Sequence, residues 1–541
     1  MRFSRNALYV VAGSAMLMAA TVLNIAQKNL QFVDWRDFWL TFGAVAGLSG
    51  LIVLIAALAF PRRLSIAAAL GLVNWLSIYH VKIGGLIQSL AGSGAAAITP
   101  GAVVVILLLG CPVLILVVSL FPRDLYARVI GAGGLAIFAL AAVQLVTSRD
   151  FIGAVTAAPD PKVLVQQTPL PDADQAAGRL PDIIYIVPDR YGNSAALEAG
   201  FRHDNSAFVG GLRRRGFLVA DAARANYSNT PYSIASMMNM QYLEPMLQRL
   251  DGEVRRIEPI YSLIRENLVV ARLKQMGYRY VHVASFWDGT RKSPQADLTV
   301  DLWSFDFGGE FSLAVFQQMP LLLLAVATVS SPDRCAALKR QLSYLEGVGG
   351  EDQPTFVFAH LLVPHAPILT DADGNCISPM EYPVRPRGVT WEAFREGFSG
   401  FLSYFNTRIL EIFDRQKAHN PNPLIFVIQA DEGPYPKAYR ESILGGRDRP
   451  ETEAEPFDWQ TASDAQLLTK FGIINALYLG GASDGGAEVP QTMTPVNNWR
   501  VIFGHLDGTV YPMLPDRHFM LPDQKELYRL IDFTERLNAI P

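Results

Sequence analysis

Cysteine is scarce in this chain of 541 residues. There are three, too few for a disulfide scaffold. Cys111 falls inside an apolar run. Cys335 and Cys376 are then either one pair, if their domain sits in an oxidising compartment, or two free thiols. No block of basic residues occurs and the net charge is −4, which argues against a nucleic-acid partner. No internal repeat is evident.

Apolar residues, by contrast, make up 50% of the chain, with the excess at the N-terminal end. Five runs, 8–26, 39–60, 64–82, 101–121 and 129–147, each come near the ~20 residues that cross a hydrocarbon core. The third holds Asn74, Ser77 and His80, so a re-entrant or interfacial segment is its other reading. Arg2, Arg5, Arg62, Arg63, Arg123 and Arg128 lie on one side of these spans. The other side has Lys28 and Arg36, diluted by Asp34 and Asp37, then an uncharged loop near 91–98. This asymmetry puts the N-terminus in the cytoplasm and everything after residue 148 outside it. The expected division is a transmembrane domain over 1–148, a linker over 149–180 rich in Ala, Pro, Asp and Gln, and an extracytoplasmic catalytic domain over 181–541. One further apolar stretch, 315–329, is short for a span and contains Pro320; it predicts a helix resting on the domain or on the bilayer surface.

From residue 181 strand-like and helix-like patterns alternate. Strands are predicted over 183–187, 217–220, 278–283, 355–359, 424–429 and 473–479, and helices over 206–215, 263–276 and 391–416. Such alternation implies an α/β domain with a mostly parallel sheet covered by helices on both faces.

Three strand ends and one turn carry the chemistry. The strand Ile183-Ile184-Tyr185-Ile186-Val187 stops at Pro188 and presents Asp189, where open α/β sheets place their ligands. Alone, Asp189 reads more readily as a helix N-cap. A second strand ends Asp431-Glu432-Gly433, two adjacent acids that repel unless a cation compensates. The turn Asn229-Thr230-Pro231-Tyr232-Ser233 sets a hydroxyl at a helix N-terminus, and a metal would make that poor nucleophile reactive. Asp189, Thr230, Asp431 and Glu432 form an all-oxygen set, which predicts one divalent cation with Mn²⁺ or Mg²⁺ favoured over Zn²⁺. The segment His360-Leu361-Leu362-Val363-Pro364-His365-Ala366-Pro367 supplies His365, set between prolines to contact a phosphoryl oxygen or protonate a leaving group. His360 reads as a core histidine. His505 and His518 are the fallback imidazoles for the metal.

The order Asp189, Thr230-x-x-Ser233, Ala284-Ser285-Phe286-Trp287, Pro364-His365-x-Pro367 and Asp431-x-Gly433 resembles the alkaline phosphatase/sulfatase superfamily. The nearest branch is the membrane-anchored one of lipoteichoic acid synthases and phosphoethanolamine transferases, with five spans before an extracytoplasmic domain. The resemblance implies Asp189 and Asp431 as metal ligands, Thr230 as nucleophile, and Trp287 and His365 as substrate contacts, with His360 and Arg291 beside them. Two departures stand out. The family has Asp-His where this chain has Asp431-Glu432, and lipoteichoic acid synthases have an arginine where this chain has Gly289, Arg291 lying two further on. The second counts against polyglycerol phosphate as substrate.

The function expected is an integral membrane phosphotransferase moving a phospho-alcohol group from a membrane lipid donor to an envelope glycan, lipid or alcohol acceptor. The alternatives are a phosphatase- or sulfatase-type hydrolase and a catalytically silent envelope binding protein. A formylglycine sulfatase needs a Cys/Ser-x-Pro-x-Arg setting, which Thr230-Pro231-Tyr232 lacks.

Overall fold

The computed structural model describes residues 4–79, 100–148, 179–250, 256–302, 309–319, 334–377, 389–444, 457–480, 489–522 and 526–540, with isolated positions between them. Most of the expected linker and the uncharged loop near 91–98 lie outside the described residues. The chain divides into two compact units, Met1–Ala157 with Phe305–Ser331, and Ala158–Ser304 with Pro332–Pro541.

Among the described residues of the first unit, three helices are long and apolar enough to cross a membrane: Arg5–Lys28, Trp35–Ala59 and Arg123–Thr147. The sequence suggests five spans. Leu64–Ser77 runs 14 residues, while the apolar helix Pro100–Ser119 runs 20, near the ~20 that cross a hydrocarbon core. Gly13 and Gly134 mark the crossing of Arg5–Lys28 and Arg123–Thr147. A Cβ at Gly13 would strike the Ile130 carbonyl, and one at Gly134 the Gly13 carbonyl, so only glycine permits this approach.

Of the apolar stretch 315–329, residues 315–319 are described, at the end of the helix Glu310–Gln317. It belongs to the first unit. Phe311, Val315, Phe316 and Met319 pack into the cluster built by Met18, Leu23, Val33 and Phe38. Asp37 accepts the Ser312 N–H at 3.1 Å, satisfying one of the donors at that helix's start. Residues 320–329 of the predicted helix lie outside the described ones.

The second unit is built on a mixed sheet. Its strands are β1 (Asp182–Pro188), β2 (Leu218–Val219), β3 (Arg279–Val283), β4 (Leu298–Val300), β5 (Thr355–Leu361), β6 (Leu424–Gln429) and β7 (Asn475–Leu479). Their order is β2-β7-β6-β1-β5-β3-β4. The five strands β6 to β4 run parallel, while β7 is antiparallel to β6 and β2 to β7. Every residue of β1, β5 and β6 is buried, the reason these strands read as unbroken apolar runs. β4 is a short edge strand without a pattern of its own.

Helices cover the sheet. The long helix Trp391–His419 buries Phe394, Phe398, Phe401, Phe405, Ile409, Ile412 and Phe413, spaced three and four apart, and Thr390 caps it by accepting the Ala393 N–H at 3.2 Å. The helix predicted over 263–276 is broken in two. Asn267 accepts the Val270 N–H at 2.9 Å and so restarts the chain as a separate helix, Leu268–Gln275.

Asp182 fixes the register that matters for the site. At the start of β1 its carboxylate accepts from the Thr355 and Gly350 backbone N–H groups at 2.7 Å each, and from the amides of Asn420 and Asn422 at 3.0 and 3.1 Å. The starts of β5, β1 and β6 are thereby tied together. Their far ends come out level, with Val187 beside His360 and Ile186 beside Ile428.

Candidate metal centre

Three neighbouring parallel strands each deliver one side chain to the same place. Asp189 follows β1, His360 is the penultimate residue of β5, and Asp431 follows β6. All three are buried, and one ligand atom from each lies within 4.8 Å of the other two. Asp189 Oδ1, His360 Nε2 and Asp431 Oδ2 have no hydrogen-bond partner among the described residues. A buried polar atom without a partner costs about 1–3 kcal/mol, and three around one point call for a shared one. His360 Nε2 stands 3.8 Å from Asp189 Oδ2, too far for a hydrogen bond. Ligands each roughly 2 Å from a common ion stand about 3–4 Å apart, so the donor set fits a metal.

The electrostatics agree. Burial and the neighbouring Asp431 push the Asp189 carboxyl well above its ordinary range, against the pull of Arg190. Burial also raises Asp431, opposed by a hydrogen bond from the Thr230 hydroxyl. Burial lowers the His360 pKa to about 3, helped by His282, so the imidazole is neutral and able to ligate.

Thr230 opens the helix Thr230–Asn239 and is half-buried, and its hydroxyl acts to lower the Asp431 pKa. Ser233 is turned away, donating to the Tyr227 carbonyl at 2.9 Å.

Glu432 is not part of the donor set. Its Oε1 takes the Arg190 Nε–H at 2.9 Å and its Oε2 the Lys470 ammonium at 2.6 Å. Gly433 makes this possible. Its N–H donates to the Lys470 carbonyl at 2.9 Å, and a Cβ there would collide with that carbonyl. Arg190 adopts a left-handed backbone conformation (φ 65°), which costs a non-glycine residue roughly 1–2 kcal/mol. That cost is offset by its N–H donating to Asp431 Oδ1 at 3.1 Å and its side chain holding Glu432. Arg190 and Lys470 also stack on Tyr435, 4.6 and 3.6 Å from its ring centre.

Trp287 sets its ring edge-to-face with His360, 5.5 Å between centres. Gly289 lies beneath that indole, and any side chain there would strike it. Arg291 ends the short turn Asp288–Thr290. His365 is half-buried, between peptide bonds Val363–Pro364 and Ala366–Pro367 that are both cis. Burial and the Arg190 charge hold it well below the ordinary histidine pKa, and its Nδ1–H donates to the Ala366 carbonyl. The fallback ligand His518 bonds instead to the Ala225 carbonyl at 2.9 Å. His505 lies in the last turn of the helix Pro495–Asp507.

No family model and no curated protein matches the chain. Among solved structures it is similar to the C-terminal periplasmic domain of EcEptC from Escherichia coli in complex with zinc, at 12% identity and TM-score 0.43, over 69% of this chain and 98% of that one. It is also similar to the integral membrane lipooligosaccharide phosphoethanolamine transferase A (EptA) from Neisseria meningitidis, at 13% identity and TM-score 0.36, over 93% and 95% of the two chains. BT33494S-sulf from Bacteroides thetaiotaomicron follows at 12% and 0.36, over 65% and 83%. The N-terminal part of this chain carries membrane-length helices, and its C-terminal unit is similar to periplasmic domains. The roles of individual residues rest on the geometry above.

The expected cofactor is corrected. Manganese or magnesium follows from an all-oxygen set, but the third donor is the His360 imidazole, and Glu432 is saturated by Arg190 and Lys470. A donor set of two carboxylates and an imidazole suits zinc.

Proposed function

We propose that this chain is an integral membrane, metal-dependent phosphotransferase whose nucleophile is Thr230, with the active domain on the extracytoplasmic side. One observation carries the reading: three buried ligand atoms, from Asp189, His360 and Asp431, converge without hydrogen-bond partners among the described residues. Asp189, His360 and Asp431 would hold the ion. When bound, it supplies a lowered pKa for the nearby hydroxyl and positive charge for the phosphoryl oxygens.

The protein's own residues do the rest. Thr230 Oγ1 attacks phosphorus as its proton passes to water, and the donor's alcohol oxygen leaves, taking up a proton from water, to give a phosphothreonine diester. The helix Thr230–Asn239 presents its N-terminus to the developing charge. Since His365 Nδ1–H is committed to Ala366, its Nε2 carries a lone pair. His365 therefore acts as a base toward the incoming alcohol, not as the acid that its sequence setting suggests. Arg190 and Lys470 offset Glu432 and one ligand carboxylate, so the ion-loaded site is positive toward a phosphate ester.

Membrane-length helices in the same chain favour a lipid donor and an envelope glycan, lipid or alcohol acceptor over a soluble phosphomonoester. The silent-protein reading draws its support from Glu432. That support goes, because Glu432 fills a structural role and all three ligand positions are occupied by competent donors. The test is to trap the zinc-loaded full chain with fluorescent phosphatidylethanolamine or phosphatidylglycerol and map the adduct by mass spectrometry. Modification of Thr230 is expected; modification of Ser233, or turnover with Thr230 unmodified, would refute the assignment.

A further inference from the structure

We infer that Ser285 and Thr290 are positioning residues, a hydroxyl relay that holds His360 in the one tautomer able to ligate a metal; the inference rests on the metal reading above. The relay is continuous. His360 Nδ1 is 2.8 Å from Thr290 Oγ1, Thr290 Oγ1 is 2.7 Å from Ser285 Oγ, and Ser285 Oγ is 3.2 Å from the Trp287 carbonyl oxygen.

Its direction is set at the far end. A carbonyl oxygen only accepts, so Ser285 donates its hydroxyl proton to Trp287 while accepting the Trp287 N–H at 3.1 Å. With that proton committed, Ser285 can only accept from Thr290. Thr290, having donated, accepts from His360 Nδ1–H. A neutral imidazole has one N–H, so Nε2 is left with its lone pair toward Asp189 and Asp431. The reverse direction would place a proton on Nε2, whose distance of 3.8 Å to Asp189 Oδ2 gives it no bond.

Neighbouring groups hold the relay still. His282 Nε2–H donates to the Thr290 carbonyl at 2.8 Å, and the Tyr280 hydroxyl donates to His282 Nδ1 at 2.9 Å, so the Thr290 backbone is anchored as well as its side chain. Ser285, Thr290, His282 and His360 are each at most 2% exposed, which leaves no bulk water to substitute for a lost hydroxyl. The turn that carries Trp287 thus sets the imidazole twice, through the relay and through the indole packed on its ring.

The experiment measures zinc affinity of the full chain in detergent, stripped of metal and titrated against a chromophoric chelator. Thr290→Val keeps the shape and removes the hydroxyl; it should weaken zinc about 10–100-fold, the usual cost of losing such a partner. Thr290→Ser should restore binding, and Ser285→Ala should move it in the same direction as Thr290→Val. Thermal unfolding of the metal-free proteins checks the fold, and if Thr290→Val fails to fold, Ser285→Ala decides. Zinc affinity equal to wild type in the folded hydroxyl-less variants overturns the relay alone. Absence of zinc binding in the wild type overturns the metal reading and the relay with it.

Discussion

The Lys470 ammonium sits 2.6 Å from Glu432 Oε2, with both side chains 1% exposed. Burial lowers the Lys470 pKa to about 8, against the pull of Glu432 that keeps it charged. Glu432→Gln leaves Lys470 and Arg190 facing an amide, and breaking a buried pair by removing one partner costs about 3–5 kcal/mol. The expected result in urea unfolding is a loss of that order with or without metal. A variant as stable as wild type would show that the pair is not formed.

Thr230→Ala should lower transfer from fluorescent phospholipid by roughly 10³-fold or more, since it removes the nucleophile itself. Thr230→Ser keeps a hydroxyl at the helix start and should retain part of the rate. Equal loss in both variants would point to packing of the threonine methyl as the cause. Normal turnover in Thr230→Ala would exclude it as nucleophile.

Metal binding should expel protons. Asp189 and Asp431 have raised pKa values in the metal-free fold. Their protonated forms therefore favour the fold fully below the ordinary value of 3.8, and this contribution is lost as pH rises through the raised values. Ligation needs both ionised. Calorimetric titration with zinc in buffers of different ionisation heats should show net proton release at mildly acidic pH, with affinity climbing toward neutrality. Heats independent of buffer would contradict it. The imidazoles run the opposite way. His282 and His360 are lowered to about 4 and about 3, so their contribution is present above the ordinary 6.5 and lost as pH falls through those values.

Cys335 and Cys376 are disulfide-bonded, closing a separation of 41 residues. The pairing settles the alternative that spacing leaves open and suits an extracytoplasmic domain. Serine at both positions should cost roughly 2–5 kcal/mol. Protein isolated from cells under alkylating conditions should carry neither thiol free; quantitative labelling of both would place the domain in a reducing compartment.

Much of the site is legible in the sequence because acid-tipped apolar strands carry their own signal. Asp189 and Asp431 can be read from β1 and β6 alone. What a linear pattern does not contain is strand order. That β5 lies directly beside β1, opposite β6, is what brings His360 beside Asp189 and Asp431 as a third candidate ligand. Glu432 misleads for a related reason: adjacency to Asp431 does not reveal that both of its oxygens are held by Arg190 and Lys470. Its partner Lys470 lies in the helix Asp464–Phe471, with nothing in the sequence to link the two. Arg190 offers one clue, its place directly after Asp189, but its left-handed backbone shows only in three dimensions. In the membrane unit, composition marks five apolar runs, and among the described residues three helices are long and apolar enough to span.

The most direct test is the zinc content of the purified full chain, wild type against single variants, by elemental mass spectrometry after dialysis in zinc. The account predicts stoichiometric zinc in the wild type, loss in Asp189→Ala, His360→Ala and Asp431→Ala, and retention in Glu432→Gln. Retention in His360→Ala together with loss in Glu432→Gln would contradict it, and would make Glu432, not the His360 imidazole, the third ligand.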